Sequence, residues 1–166
     1  MINTKRLIIK PYSDCDETDM VELLMNDKIK ETYIIPDLKN VQEAKKYFKK
    51  LQVYANSSQH YERGIYYNNQ LIGFINDVEI NQDTIEIGYV IHPNFHNQGF
   101  ATETLRAVID DLYHQGFKTI ISCAFESNIA SFKVMEKCGM KKLETSTMIR
   151  YQNIDQNCLY YFIKAS

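Results

Sequence analysis

The segment HPNFHNQGFATETLR, residues 92–106, joins two patterns that imply different secondary structures. The apolar and mostly β-branched run before it, residues 85–91, is typical of a buried strand and stops at Pro93. After a short polar loop, Gly99 and Ala101 open a stretch in which apolar residues recur at helical spacing. The segment therefore predicts a strand, a loop of small residues and a long helix in succession.

A loop that leads into a helix N-terminus suits an anionic ligand. The first N–H groups of a helix lack partners within the helix, and the helix dipole adds partial positive charge at the same end. Small residues at Gly99 and Ala101 would let a phosphate or pyrophosphate approach the main chain closely. An ordinary strand–loop–helix junction has the same pattern, so this segment alone leaves both interpretations open. The GxxxxGK[ST] and GxGxxG motifs are absent, which argues against a nucleotide-binding switch of the P-loop type.

A second informative segment is ESNIASFKVMEKCGM, residues 126–140. Asn128 is a good N-cap, and the apolar residues that follow cover one side of a short helix. Gly139 ends that helix at the position where a left-handed residue is preferred. On its own, this segment predicts only a short, well-capped amphipathic helix.

Taken in this order and spacing, the two segments resemble the GNAT superfamily of acyltransferases. In that family a loop written Arg/Gln-x-x-Gly-x-Gly/Ala, here residues 96–101, binds the pyrophosphate of acetyl-coenzyme A. An Asn matching Asn128 lies beside the pantetheine arm. Residues 4–12 and 86–93 are similar to the ribosomal-protein alanine N-acetyltransferase-like branch, and matching features extend from about Thr4 to Lys164.

The resemblance implies acetyl-coenzyme A as cosubstrate and no metal. The matching strand of the family pairs with the pantetheine arm through its main chain and gives an N–H to the thioester oxygen, in the manner of an oxyanion hole. The residues expected to bind the cosubstrate are Tyr89, Val90, Ile91, His96, Asn97, Gln98, Gly99, Phe100, Ala101, Thr102 and Asn128.

Two positions depart from the family's pattern. His96 stands where the family has Arg or Gln. Met135 stands where many members have a Tyr that protonates the departing thiolate, and a thioether cannot supply that proton. Some members of the branch use a hydroxyl at the position that matches Ser131, so Ser131 becomes the candidate acid.

Glu86 is the candidate base, because an ammonium acceptor must lose a proton, here through water, before it attacks. An exposed strand carboxylate or an ion-pair partner is the alternative role for Glu86. His92 is the second candidate base, since the unperturbed pKa of His is near 6.5, although a His before Pro commonly only solvates a loop. A zinc site at His92 and His96 is not expected, because Pro93 separates them and no third ligand lies nearby.

Composition indicates one compact domain over residues 1–166. The net charge of −2 argues against nucleic acid as a partner, and no apolar run is long enough to span a bilayer. The four cysteines have no CxxC spacing, so we expect reduced thiols in a cytoplasmic protein, with Cys123 in the core. The twelve tyrosines are expected mainly in packing, with some in an acceptor pocket that the sequence does not identify.

The predicted fold is α/β (α+β), a GNAT-like mixed, mostly antiparallel sheet of about six to seven strands flanked by about four helices. The predicted strands cover roughly residues 7–10, 64–67, 71–80, 84–91, 119–124, 143–149 and 158–163, and the helices residues 16–25, 40–57, 99–115 and 128–138.

The predicted function is direct acetyl transfer from acetyl-coenzyme A to a primary amine in a ternary complex, with no acyl-enzyme. A protein N-terminus and a small-molecule amine both remain open as the acceptor, and so do a monomer and a homodimer. The rival from another class is a non-catalytic, coenzyme A-binding regulatory module on the same fold, which Met135 motivates.

Overall fold

The computed structural model describes residues 1–166. Its strands are β1 (Ile2–Asn3), β2 (Leu7–Lys10), β3 (Glu62–Tyr67), β4 (Gln70–Asn81), β5 (Thr84–Ile91), β6 (Thr119–Phe125), β7 (Lys141–Tyr151) and β8 (Ile154–Lys164). Its α-helices are α1 (Glu17–Met25), α2 (Asp27–Lys30), α3 (Val41–Ala55), α4 (Phe100–His114) and α5 (Ile129–Lys137). Two single 3₁₀ turns, Asp14–Asp16 and Pro93–Phe95, precede α1 and follow β5.

All eight strands form one sheet in the order β1-β2-β3-β4-β5-β6-β8-β7. Every neighbouring pair is antiparallel except β5 and β6, which are parallel and are joined through α4. The predicted mixed, mostly antiparallel sheet is confirmed. The sheet has eight strands, more than the six to seven predicted. The strand β1 was missed because its two residues are too few to show an alternating pattern.

The helix count is five rather than about four. The additional helix, α2, is a single turn of four residues that the side chain of Asn26 caps by accepting from the N–H groups of Lys28 and Ile29. A turn this short has no amphipathic period in the sequence, so its cap is the only local signal.

The core has two parts, one on each face of the sheet. On one face α4 and α5 pack over Ile85, Ile87 and Ile91 of β5. On the other face α1, α2 and α3 pack over strand residues that include Phe74 and Val90. We call these the α4/α5 face and the α1–α3 face. No helix is long and apolar enough to cross a membrane.

Candidate active site

A cleft opens in the middle of the sheet between the two parallel strands. β5 and β6 pair from Thr84 with Thr119 as far as Ile87 with Ser122, and then continue without pairing. At the last paired position the Ser122 hydroxyl donates to the Ile87 carbonyl at 2.8 Å. The strands diverge beyond this bond, which leaves main-chain groups without a strand partner in the interior of the sheet.

Alternate residues of β5 direct their main-chain groups into this cleft. The N–H of His92 donates to β4 at 2.7 Å, and the carbonyl oxygen of Val90 also faces β4. By alternation, the main-chain groups of Tyr89 and Ile91 face the cleft. The expected main-chain contact with a pantetheine arm therefore narrows to Tyr89 and the N–H of Ile91. The main chain of Val90 is engaged with β4, and the carbonyl of Ile91 lies 2.7 Å from His96 Nε2.

Gly73 is a residue of this site that the sequence analysis missed. A Cβ at Gly73 would stand 2.1 Å from the carbonyl oxygen of Val90, so any residue other than glycine would clash there. The close approach of β4 to β5 therefore depends on Gly73. The signal that could have revealed it is a glycine inside the apolar run of residues 71–75.

The loop between the cleft and α4 leaves the N-terminus of that helix open. Asn97 and Gly99 both have positive φ, 59° and 80°, which turns the chain sharply before α4 begins at Phe100. No side chain caps α4, so the N–H groups of the helix's first turn are available to a ligand. A pyrophosphate fits this arrangement because the helix dipole adds partial positive charge there.

Arg6 holds this loop from the other end of the chain. Its guanidinium donates to the carbonyl of Gln98 at 2.9 Å and forms an ion pair with Glu103 at 2.7 Å. It also lies 4.3 Å from the centre of the Phe100 ring. Because Arg6 bonds to a carbonyl of the loop, the N–H groups stay unoccupied. The sequence analysis did not assign a role to Arg6, since a separation of about ninety residues gives no local signal.

Ser131 and Asn128 lie at the edge of the cleft on the α4/α5 face. The Asn128 side chain accepts from the N–H of Ser131 at 3.2 Å and caps α5, as predicted. The hydroxyl of Ser131 lies 2.8 Å from the hydroxyl of Tyr89. Met135, at the position of the family's Tyr, is completely buried in the core. On this face the Ser131 and Tyr89 hydroxyls therefore lie together beside the cleft, where Met135 offers no proton.

Glu86 lies on the α1–α3 face, on the opposite side of β5 from Tyr89, because side chains alternate along a strand. Its carboxylate accepts from the Cys123 thiol at 3.2 Å. Burial raises the pKa of Glu86 above its ordinary value, although the bond from Cys123 opposes the rise. Cys123 is half-buried rather than in the core, since it faces this carboxylate at the edge of the cleft.

His92 and His96 have local partners. His92 is buried, accepts from the N–H of Asn94 at 3.2 Å through Nδ1, and lies 2.6 Å from Glu22 through Nε2. Both ring nitrogens are thus engaged, which fits a residue that holds the turn after β5. His96 Nε2 lies 2.7 Å from the carbonyl of Ile91 and closes the end of the same strand.

Comparison with known proteins agrees with this geometry. The family model described as "Acetyltransferase (GNAT) domain" matches residues 6–141. The uncharacterized N-acetyltransferase YnaD of Bacillus subtilis (strain 168) is 29% identical over 147 residues, which cover 85% of this chain and 82% of YnaD. A GNAT-family acetyltransferase from Bacillus anthracis has a TM-score of 0.84 at 24% identity, with 98% and 97% of the two chains covered.

The same fold occurs in RimL, a ribosomal L7/L12 alpha-N-protein acetyltransferase solved in complex with coenzyme A. It has a TM-score of 0.84 at 14% identity and covers 97% of this chain and 95% of its own. The sheet that splits between parallel strands and leads to an open helix N-terminus thus belongs to a fold shared with acetyltransferases. The chain belongs to the GNAT acetyltransferase family and is an N-acetyltransferase that uses acetyl-coenzyme A.

Proposed function

We propose that the protein transfers the acetyl group directly to a primary amine in a ternary complex, with Glu86 as base and Ser131 as acid. The observation that carries this proposal is that the two candidates lie on opposite faces of β5, next to one cleft. An amine that approaches from the α1–α3 face meets a carboxylate. A thiolate that leaves towards the α4/α5 face meets a hydroxyl.

Acetyl-coenzyme A supplies the thioester when bound. The loop of residues 96–102, the cleft-facing main chain of Tyr89 and the N–H of Ile91 would hold it. An N–H from this strand would stabilise the negative charge that develops on the carbonyl oxygen as the amine attacks. The nitrogen–carbon bond forms and the carbon–sulfur bond breaks within one complex, so no residue of the protein carries the acetyl group.

Glu86 is suited to remove the proton that the ammonium must lose. Desolvation raises its pKa towards the working range of a base at neutral pH. It remains within reach of water, since it is half-buried and borders a polar groove that also includes Glu79 and Thr84. A water between Glu86 and the amine would carry the proton away from the acceptor.

Ser131 would return a proton to the coenzyme A thiolate. Burial raises the pKa of Tyr89, although its bond to Ser131 opposes the rise, so the Tyr89 hydroxyl keeps its proton through the neutral range. Tyr89 thereby positions Ser131 and can restore its proton. The Ser131 and Tyr89 hydroxyls would thus supply the proton that Met135 cannot give to the thiolate.

The acceptor is a small-molecule amine or a protein N-terminus, and the protein named RimL acts on the second kind. Met135, which motivated the alternative of a module without catalysis, is buried in place of a Tyr and leaves the thiolate's proton to other groups. A cytoplasmic location is part of the proposal, as is a monomer or a homodimer.

The test is release of free thiol from acetyl-coenzyme A across a panel of small amines and short peptides, with mass spectrometry of each amine. We expect one class of amine to gain an acetyl group and to release thiol in equal amount. Coenzyme A binding without thiol release for any amine would support the non-catalytic module instead.

A further inference from the structure

A row of residues crosses the sheet on the α1–α3 face at the apex of the cleft. The register places Glu62 opposite Asn76, Asn76 opposite Gly88, and Cys123 opposite Tyr160. Gly88 and Cys123 are the first residues of their strands beyond the last paired position. The row thus connects Glu62, on β3, with the point at which a thioester in the cleft would meet its acceptor.

A small cavity lies beside this row, between the sheet and the segment of residues 33–36. Its volume is about 80 Å³, several times what one water needs, and seven of its ten lining residues are hydrophobic. Glu62 and Asn76 belong to the lining. The hydroxyl of Tyr33 covers Gly88, where an added Cβ would stand 2.8 Å from it, so this cavity and the cleft are neighbours.

Glu62 presents a buried carboxylate to this cavity. The residue is 3% exposed, one carboxylate oxygen accepts from the Tyr12 hydroxyl, and the other accepts no hydrogen bond. The nearest guanidinium, that of Arg63, donates to main-chain carbonyls and lies over the Tyr61 ring, which belongs to the core of the α4/α5 face. Burial without a cation disfavours the charged form, so Glu62 retains a proton, and a bound ammonium would favour its ionised carboxylate.

The other polar atoms of the cavity are also acceptors. The Tyr33 hydroxyl donates a hydrogen bond to the Asn76 side-chain oxygen at 2.5 Å, which leaves the lone pairs of the Tyr33 oxygen available. The hydroxyl of Tyr47 has no hydrogen-bond partner, and no Lys or Arg lines the cavity. The rings of Tyr33, Tyr47 and Phe74 add aromatic surface that attracts a cation.

We propose that Glu62 and the tyrosines around it bind a positively charged nitrogen of the acceptor that is not the nitrogen acetylated, so that the preferred acceptor is a diamine. This inference rests on the proposed function, because it names the acceptor class of the same site. One ammonium of the diamine lies against Glu62. The other nitrogen, after losing its proton, attacks at the cleft beside Gly88.

The spacing of the strands sets the length of this acceptor. Two strand spacings separate Glu62 from Gly88, about 10 Å at the level of the main chain. An extended diamine of about five to eight carbons spans this distance. A shorter diamine would leave either its ammonium away from Glu62 or its reacting nitrogen away from the cleft.

The experiment compares linear diamines with n-alkylamines of equal carbon number, measuring kcat and KM for each. For the wild-type protein we expect the KM of the best diamine to be at least about tenfold lower than that of its matched monoamine. In Glu62→Gln the KM of the diamine should rise to that of its matched monoamine, so that this difference disappears. Asp110→Asn, which removes an exposed carboxylate from α4 on the other face, should retain the wild-type preference.

A second variant separates recognition from a structural role of Glu62. Glu62→Asp keeps the charge but withdraws it by one methylene. If the carboxylate contacts the distant ammonium, the diamine with the lowest KM becomes about one carbon longer. A carboxylate that only stabilises the fold would lower the activity for all lengths without moving this optimum.

Equilibrium binding separates failure of the inference from failure of the proposed function. With protein saturated with coenzyme A, diamines that bind no tighter than matched monoamines would overturn the inference. The inference would also be overturned if a short peptide is acetylated with a higher kcat/KM than any diamine and Glu62→Gln does not change the kcat/KM for that peptide. Tight diamine binding without acetyl transfer would overturn the proposed function and leave the binding site standing.

Discussion

The two faces of β5 differ in how their functional residues are arranged along the chain. On the α4/α5 face the residues proposed to bind the cosubstrate come mainly from the continuous segment 89–102 and from Asn128 and Ser131. On the α1–α3 face, the proposed acceptor residues Glu62, Asn76 and Glu86 come from three different strands, and only the sheet brings them to one face. The residues of the α4/α5 face are mostly continuous in sequence, which suits a cosubstrate common to the family. Those of the α1–α3 face lie on separate strands, so each can be replaced independently as the acceptor changes.

Substitution of Glu86, the proposed base, should lower the rate of acetyl transfer more than any other change. Glu86→Gln preserves the size of the side chain but cannot accept a proton, so acetyl transfer should fall about a hundredfold or more at neutral pH. Raising the pH should recover much of the loss, because the acceptor amine then arrives already neutral. The measurement is turnover against pH for both proteins.

Glu144→Gln is the matched control, since Glu144 is an exposed residue of β7 that makes no side-chain hydrogen bond. If the Glu86→Gln profile coincides in height and shape with that of the wild type, Glu86 is not the base. His92→Gln would then be the next variant to measure.

On the cosubstrate face, Gly99→Val should weaken binding of acetyl-coenzyme A by more than tenfold, or about 1.4 kcal/mol. A side chain at φ +80° is strained, and its Cβ would come within 3.4 Å of the Arg6 guanidinium beside the open helix end. Calorimetric titration checks the prediction in protein whose circular dichroism is unchanged. Wild-type affinity in a correctly folded variant would exclude this loop as the pyrophosphate site.

Two residues of the α5 terminus should respond differently to truncation. Asn128→Ala should reduce cosubstrate use and cost about 1 kcal/mol of unfolding free energy, because the helix loses its cap. Ser131→Ala should leave binding near normal and lower kcat, and Tyr89→Phe should cause a smaller loss of the same kind. Full turnover in Ser131→Ala would mean that the thiolate takes its proton from water.

The last prediction concerns stability rather than activity, on the α1–α3 face. Burial raises the pKa of Glu62 from 4.5 to about 8; Tyr12 and Arg63 oppose the rise and Asp77 adds to it. The folded protein therefore holds a proton that the unfolded chain releases between these values, so stability falls as the pH rises through this range. Urea unfolding at several pH values should show a weaker decline for Glu62→Gln. Parallel declines for the two proteins would contradict a raised pKa.

Much of the fold was predictable because its signals are local. The turn glycine and the apolar run of β5 predicted the junction at Gly99, and the cap at Asn128 marked the start of α5 correctly. The elements that escaped prediction, β1 and α2, have two and four residues and no period of their own. Residues 141–164 form longer strands than predicted, because the ladder continues into polar, exposed ends.

The site was predictable to the extent that it is continuous in sequence. Gly73, Arg6 and Glu62 were missed because each acts on a residue from another element, and the sheet register that joins them is a tertiary property. The Ser131–Tyr89 contact was not predicted, since the sequence pointed separately to the hydroxyl of Ser131 and to the main chain, but not the side chain, of Tyr89.

Arg6 has a further consequence for the thermodynamics of cosubstrate binding. Its bonds to the Gln98 carbonyl and Glu103, with its position over Phe100, order the loop while the protein folds. The loop therefore loses its conformational entropy on folding, before any ligand binds. The free energy of binding does not include that cost again. If this loop binds the pyrophosphate as proposed, its affinity depends on a side chain that does not need to touch the pyrophosphate at all.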